Sequence, residues 1–174
     1  PWRSALPVSD ASRAEPVAAP APIRRAVATV GGNGDFGYRR LVDGARAAID
    51  DLDCDVETLW QVGATDVSDL PIAAVASLPS SELSEALRQA DVVIGHAGTG
   101  TALAALSAGK VPVLAPRSVE HGEHVDAHQQ DLARFLGDRG LAIVCEPSSI
   151  RPSTLDTARR WRAVRSSDLA PVPL

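Results

Sequence analysis

The stretch from residue 91 to residue 130 constrains the fold of this chain more than any other part of the sequence. A short apolar run at 91–95 leads into a turn of histidine, glycine and threonine at 96–101, and an alanine-rich segment follows. A second apolar run at 111–115 leads into a polar cluster at 120–130. This order predicts a βαβ unit whose loops lie at the carboxyl ends of the strands, where open α/β sheets bind ligands. All four histidines of the chain lie in this stretch.

The same alternation of apolar runs and helical patterns continues on both sides of this stretch. Strands are predicted at residues 25–30, 54–60, 72–76 and 141–145, and helices at 36–51, 80–90, 127–137 and 152–164. Strands that alternate with helices favour a parallel sheet with right-handed crossovers and helices on both faces. The sequence therefore predicts an α/β domain with a doubly wound parallel sheet.

Length and proline content predict the domain organisation. A chain of 174 residues is enough for one ordinary domain with a sizeable core. Residues 1–22 carry five prolines, which favours a Pro/Ala-rich linker or surface arm, and residues 166–174 form a proline-containing tail. The domain itself is predicted at 23–165. The chain contains no methionine, and we expect it to belong to a longer product.

Composition excludes several classes of protein. A net charge of −5 without a basic block argues against nucleic acid as the main partner. No apolar run approaches the roughly 20 residues of a transmembrane helix, so no direct membrane span is predicted. Cys54 and Cys145 are isolated in hydrophobic surroundings, which favours free thiols over a disulfide.

A glycine-rich turn at residues 30–35 is the first candidate binding site. Glycines let the backbone approach a ligand, and the start of the following helix offers free N–H donors. The spacing of Gly31, Gly32 and Asn33 is neither the dinucleotide-binding pattern nor a P-loop. A tight turn between strand and helix, without a ligand, is an equally good interpretation of this segment.

The turn at residues 95–101 is a stronger candidate, because glycines, hydroxyls and a helix start coincide there. Thr99 and Thr101 could cap the helix, and the backbone N–H groups beside them would point at an anion. A diphosphate is the natural ligand, with the His96 ring as a further donor. The alternative is a histidine that merely ends a strand.

The third candidate is the polar segment at residues 117–130. Its carboxylate, amide and cationic side chains suit the hydroxyls of a sugar or ribose, which both donate and accept hydrogen bonds. The residues are Arg117, Glu123, Asp126, His128 and Gln129. A metal site that also uses His121 and His124 is a weaker alternative, because Gly122 interrupts the helical spacing. A solvated polar loop without a ligand is the other alternative.

Three segments of the sequence resemble a known family. They are "VATVGGNGDFGYRRLVDGA", "ADVVIGHAGTGTALAALSAGKVPVLAPR" and "EHVDAHQQDLARFL", which lie within residues 25–147. Together they resemble the C-terminal, donor-binding domain of family 28 glycosyltransferases, most closely the Alg13-like and bacterial exopolysaccharide subgroup. The resemblance implies a Rossmann-like half of a GT-B glycosyltransferase.

The resemblance also implies an activity and partners. It implies an inverting enzyme that takes a UDP-linked donor and transfers a hexose or N-acetylhexosamine to a lipid-linked or cell-surface glycan. Neither a cofactor nor an essential metal is implied, since the family relies on hydrogen-bond donors at the diphosphate. The acceptor site and catalytic base belong to an N-terminal half or a separate membrane-anchored subunit. That partner implies a cytoplasmic protein held at the inner face of the membrane.

The resemblance assigns ligand contacts to particular positions. It implies that the diphosphate–sugar side of the cleft is lined by Gly31, Gly32 and Asn33, and that the loop with Leu78 contacts the base. The diphosphate would be bound by His96, Ala97, Gly98, Thr99, Gly100 and Thr101. The donor sugar or ribose would be bound by Asp126, His128 and Gln129. Position 105 is alanine, where relatives often carry a ribose-binding glutamate. That difference keeps open a non-catalytic nucleotide-sugar-binding or regulatory module. A related UDP-sugar hydrolase or epimerase of the same architecture is a separate alternative.

Overall fold

A six-stranded parallel sheet forms the centre of the protein. The structure is a computed structural model, and it describes residues 11–32, 36–123 and 128–165. The strands are β1 (Ala11–Pro16), β2 (Arg25–Thr29), β3 (Glu57–Gln61), β4 (Ala74–Val75), β5 (Val92–Gly95), β6 (Val113–Leu114), β7 (Ile143–Val144) and β8 (Trp161–Arg165). The helices are α1 (Arg39–Asp50), α2 (Ser80–Gln89), α3 (Thr99–Ser107), α4 (His128–Gly137) and α5 (Pro152–Arg159), with a short 3-10 helix at Pro147–Ser149.

The sheet has the order β4-β3-β2-β5-β6-β7, with every pair parallel. Side chains alternate along β2, so Ala26 and Ala28 face α1 and α5 while Val27 faces α2 and α3. Toward the β7 edge of the sheet, α3 and α4 enclose a further apolar cluster around Leu114 of β6. Because both faces of the sheet are covered by helices, the predicted doubly wound α/β fold is confirmed.

The predicted helix at 152–164 is wrong beyond Arg159. The chain leaves the helix at Arg160 and continues as β8, which pairs antiparallel with β1. β8 has a backbone partner in β1, and Ala163 joins the cluster of α3 and α4, with Ala14 packed against it. The sequence pattern missed this strand because its partner is at the other end of the chain.

The structure adds detail to other predictions. Residues 11–16, within the predicted arm, are extended along β8, whereas 1–10 and the predicted tail at 166–174 lie outside the described residues. Both cysteines are free and half-buried, and the Cys54 thiol lies 3.3 Å from the Ile23 carbonyl oxygen. Among the described residues, no helix has the length and apolarity to cross a bilayer.

Candidate functional site

The three predicted binding segments meet at one edge of the sheet. β2, β5 and β6 are neighbouring parallel strands, and their register aligns Thr29 with Gly95 and Gly95 with Leu114. The segments that follow these strands therefore leave the sheet side by side at its carboxyl edge. We call residues 30–38 the glycine loop and residues 115–128 the polar loop; 33–35 and 124–127 are not among the described residues.

The His96 imidazole lies between two glycines. A Cβ at Gly31 would lie 2.9 Å from Cε1 of the ring, and a Cβ at Gly98 would overlap Nε2. Gly31 also has a φ of +86°, which glycine adopts without strain. The His96 amide donates to the Thr29 carbonyl at 3.1 Å, which fixes the backbone below the ring. Any side chain at Gly31 or Gly98 would displace the imidazole.

A buried pair of polar residues supports the glycine loop, and the sequence analysis missed it. The Thr29 hydroxyl donates to Gln61 Oε1 at 2.6 Å and accepts from the Gly31 amide at 3.1 Å. Both residues are almost fully buried, at the ends of β2 and β3. The sequence did carry a signal for it, since the polar Thr29 ends an otherwise apolar strand. This pair fixes Gly31, the first glycine of the glycine loop.

The amino end of α3 lies next to His96. Gly98 is the N-cap residue, and the cap uses no side chain. The predicted capping by Thr99 or Thr101 is therefore wrong: Thr99 is the first helical residue, and the Thr101 methyl lies beside Gly95. The first intrahelical hydrogen bond in this turn runs from the Ala102 amide to the Gly98 carbonyl at 3.0 Å. The preceding amides of the first turn remain available to an anion at the carboxyl edge.

Ala97 and Ala105 point into the core. Ala97 is buried with the cluster of α3 and α4, so only its backbone can contact a ligand. Ala105 is fully buried and packs with Val27 and Val93. A glutamate at 105 would be enclosed by apolar side chains. In this chain the alanine at 105 is therefore a core residue.

Arg117 is buried, and its guanidinium donates hydrogen bonds to backbone carbonyl oxygens. Its Nη1 lies 2.9 Å from the carbonyl oxygens of Phe36 and Gly37 and 3.1 Å from that of Glu123. Its Nη2 donates to the Val30 carbonyl at 3.0 Å. Burial lowers the pKa of Arg117, and interactions with Tyr38 and Glu123 oppose that shift. These contacts place Arg117 between the two loops rather than at their ligand-facing surface.

Glu123 is also enclosed by the protein. Its carboxylate accepts from Arg40 Nε at 2.7 Å, from Arg40 Nη2 at 2.9 Å, and from the Ser118 amide at 3.0 Å. Burial alone would raise the pKa of Glu123, but these hydrogen bonds outweigh burial and lower it. Glu123 is therefore ionised and joins the polar loop to α1.

The other predicted residues lie around this edge. Leu78 is half-buried in the segment between β4 and α2, whose Ser77 lies close to Gly32. His128 is exposed at the start of α4, and Gln129 Oε1 accepts from the Arg117 amide at 3.2 Å. Asn33, His124 and Asp126 lie outside the described residues. In the described part of the chain, no three potential ligands lie close enough to hold a metal ion.

Comparison with known families identifies the domain. The family model for the glycosyltransferase family 28 C-terminal domain matches residues 27–160, which include all five described helices and all of the main sheet except the first two residues of β2. The chain belongs to glycosyltransferase family 28. The match begins within β2 and ends just after α5, so it includes every segment of the carboxyl edge described above.

Curated relatives and a solved structure agree with this assignment. The chain is 37% identical over 75 residues to the UDP-N-acetylglucosamine--N-acetylmuramyl-(pentapeptide) pyrophosphoryl-undecaprenol N-acetylglucosamine transferase of Acinetobacter baylyi, covering 43% of this chain and 20% of that protein. It is 30% identical over 132 residues to the transferase of the same name from Acinetobacter baumannii, covering 71% and 35%. The crystal structure of Acinetobacter baumannii MurG aligns with a TM-score of 0.57 and 25% identity, covering 80% and 40%. The matched region thus spans about a third or less of the curated relatives.

Proposed function

We propose that this family 28 domain is the donor-binding half of an inverting glycosyltransferase. It would bind a UDP-linked sugar at its carboxyl edge and transfer a hexose or N-acetylhexosamine to a lipid-linked or cell-surface glycan. The family match supports the donor-binding domain. The names of the curated relatives, which specify UDP-N-acetylglucosamine, favour an N-acetylhexosamine donor.

The observation that carries this proposal is the arrangement of His96 at the amino end of α3. The ring lies between Gly31 and Gly98, so the glycine loop and the first turn of α3 come within reach of one small anion. Amide groups at a helix start attract negative charge, and an imidazole N–H adds a donor from a second direction. This combination suits the negative charge of a diphosphate.

The same arrangement suits the chemistry of transfer. As the glycosidic bond to the diphosphate breaks, negative charge grows on the diphosphate oxygen that leaves. Donors fixed in advance stabilise that charge without having to reorganise. Gly31, Gly98 and the buried Thr29–Gln61 pair provide this fixed geometry. The domain thus binds the donor and stabilises the leaving group.

Activation of the acceptor is assigned to a second half. We propose that an N-terminal half, or a separate membrane-anchored subunit, supplies the acceptor site and the catalytic base. The larger size of the curated relatives supports this division, since the match covers 20% to 35% of their length. Attachment to the inner face of the membrane would come through that half.

Isothermal titration calorimetry tests donor binding. The 174-residue chain is titrated with UDP, with UDP-N-acetylglucosamine and with uridine alone. We expect UDP and the nucleotide sugar to bind and uridine to bind more weakly, because it lacks the diphosphate. Absence of binding to both diphosphates at millimolar ligand would overturn the proposal.

A product assay tests the reaction itself. The chain is incubated with UDP-N-acetylglucosamine, with and without the second half and a lipid-linked acceptor. We expect glycosylated lipid only when both halves are present. Free N-acetylglucosamine or an epimerised nucleotide sugar would instead support a hydrolase or epimerase, and binding without any product under all conditions would support a regulatory module.

A further inference from the structure

We propose that Arg117 and Glu123 are positioning residues that lock the glycine loop and the polar loop into one unit. Through this tie, the diphosphate and the sugar of a single ligand would be bound by loops with a fixed relative position. The inference rests on the proposed function, because it concerns the same edge of the sheet. It assigns both residues a task other than direct ligand contact.

Arg117 holds both ends of the glycine loop. Val30 precedes this loop's glycines, Phe36 and Gly37 lie near its end, and the carbonyl oxygens of all three lie 2.9 to 3.0 Å from the Arg117 guanidinium. A planar guanidinium offers five donors in a rigid fork, so a single side chain can fix separate backbone segments. The described residues on both sides of the gap at 33–35 are therefore held by the same group.

The same residue holds both ends of the polar loop. Arg117 Nη1 lies 3.1 Å from the Glu123 carbonyl oxygen, and the Arg117 backbone amide donates to Gln129 Oε1 at 3.2 Å. Residues 124–128 lie between Glu123 and Gln129. The described residues on both sides of this segment, Glu123 and Gln129, are therefore tied to the residue that also fixes the glycine loop.

Glu123 adds a second tie, from the polar loop to α1. Two Arg40 nitrogens grip its carboxylate at 2.7 and 2.9 Å, in the paired geometry that is strong for guanidinium and carboxylate. Its side chain is 8% exposed, against 33% for that of Arg40. Removal of Arg40 would leave the buried Glu123 carboxylate without its counterion, whereas removal of Glu123 would leave Arg40 half-exposed and still paired with Glu146 at 3.4 Å.

Tyr38 completes the connection and is itself buried. Its hydroxyl lies 2.9 Å from the Pro116 carbonyl oxygen and 3.2 Å from that of Ala115, where the polar loop begins. The Arg117 guanidinium lies 5.0 Å from the centre of the Tyr38 ring, within the range of a cation–π contact. The residue that ends the glycine loop thus contacts the first residues of the polar loop.

These ties predict different effects for two substitutions. Glu123→Gln breaks the pairing with Arg40 and loosens the polar loop, while Arg117 still holds the glycine loop. Its effect should therefore fall on the sugar part of the ligand. Arg117→Lys keeps the charge but replaces the fork with a single ammonium group, which cannot reach all four carbonyl oxygens. It should loosen both loops and weaken both ligands.

The test measures the affinities of each variant for UDP and for UDP-N-acetylglucosamine by calorimetry, well below the thermal midpoint. For Glu123→Gln we expect affinity for the nucleotide sugar to fall at least about fivefold, while affinity for UDP stays within about twofold. Arg117→Lys should weaken both by at least about fivefold. A purely structural role would change the thermal midpoint and leave the ratio of the two affinities unchanged.

Arg39→Gln provides the matched control. Arg39 is adjacent in α1 and also grips a carboxylate with two nitrogens, but its partner Asp69 is exposed and lies outside both loops. This variant should bind both ligands like the wild type. If Glu123→Gln keeps the wild-type ratio while wild type and control bind both ligands, the inference is overturned. If the wild type binds neither ligand, the proposed function fails instead.

Discussion

The His96 imidazole lies against the backbone of Gly31, close enough that a Cβ at that position would be 2.9 Å from the ring. The contact joins the segment after β5 to the segment after β2, which are neighbours in the sheet but distant in sequence. It explains why a glycine is required at a turn for which the sequence favoured a ligand site and a simple tight turn equally. The proposed diphosphate site depends on this contact.

Replacement of Gly98 by alanine tests the position of the His96 ring. The added Cβ would overlap Nε2 and force the imidazole away, so we expect UDP affinity to fall about tenfold, the equivalent of one good hydrogen bond. Calorimetry with UDP measures the change. Gly137→Ala is the control, because its Cβ would meet only the exposed Val144 side chain, and it should bind UDP like the wild type. Equal affinities for the two variants would contradict this placement of the ring.

Replacement of Thr29 by valine tests the buried support of the glycine loop. The substitution keeps the shape but removes the hydroxyl that Gln61 and the Gly31 amide share, which leaves the buried Gln61 Oε1 and the half-buried Gly31 amide without this partner. We expect the free energy of unfolding to fall by about 1–3 kcal/mol in urea denaturation. Thr58→Val on the adjacent strand is the comparison, since its hydroxyl makes only a long 3.4 Å contact with the Val56 carbonyl. A loss at Thr29 no larger than at Thr58 would argue against this support.

Glu123 makes the stability of the domain sensitive to acid. Its pKa in the folded protein lies below the ordinary value of 4.5, so its stabilising effect is fully present above that value. As the pH falls through the folded pKa the carboxylate takes up a proton, and the effect is lost. We expect wild type to lose more stability than Glu123→Gln between about pH 5 and pH 2, as followed by urea denaturation at each pH. If the free energies of unfolding of the two proteins change with pH in parallel, Glu123 is not responsible for the acid sensitivity.

Replacement of Gly44 by alanine tests whether a loss of stability alone lowers the affinity for UDP. This residue of α1 faces the 3-10 helix, where a Cβ would overlap the Pro147 carbonyl oxygen. Backbone cannot move aside as a flexible side chain can, so Gly44→Ala should lower the free energy of unfolding by about 1–3 kcal/mol. UDP affinity, measured below the lowered thermal midpoint, should not change. An equal loss of affinity would mean that the site responds to general destabilisation.

Local patterns were sufficient to predict the main sheet. Apolar runs ended by glycines, as at Val92–Gly95, carry both the strand and the turn in consecutive residues, and this order is what the structure contains. The β1–β8 pair could not be predicted in the same way. Its strands are short and separated by nearly the whole domain, and the helical spacing of Leu155 and Ala158 continues to Arg162 within β8.

The sequence predicted where the residues of the site lie, but not which groups they contact. The sequence placed Arg117 and Glu123 at the carboxyl edge, and the structure places them there. Their partners are carbonyl oxygens and an arginine of α1, which no motif records. The orientation of Ala105 also needed the structure, because a helix that is buried on several sides gives no clear periodicity.

The most direct test of the central claim is a heteronuclear NMR titration of the ¹⁵N-labelled chain with UDP-N-acetylglucosamine. The account predicts that amide resonances of Gly31, Gly32 and residues 96–101 shift in a saturable way, while those of β1 and β8 stay in place. Resonances that remain unchanged at millimolar ligand, or shifts centred on the β1–β8 pair, would contradict it.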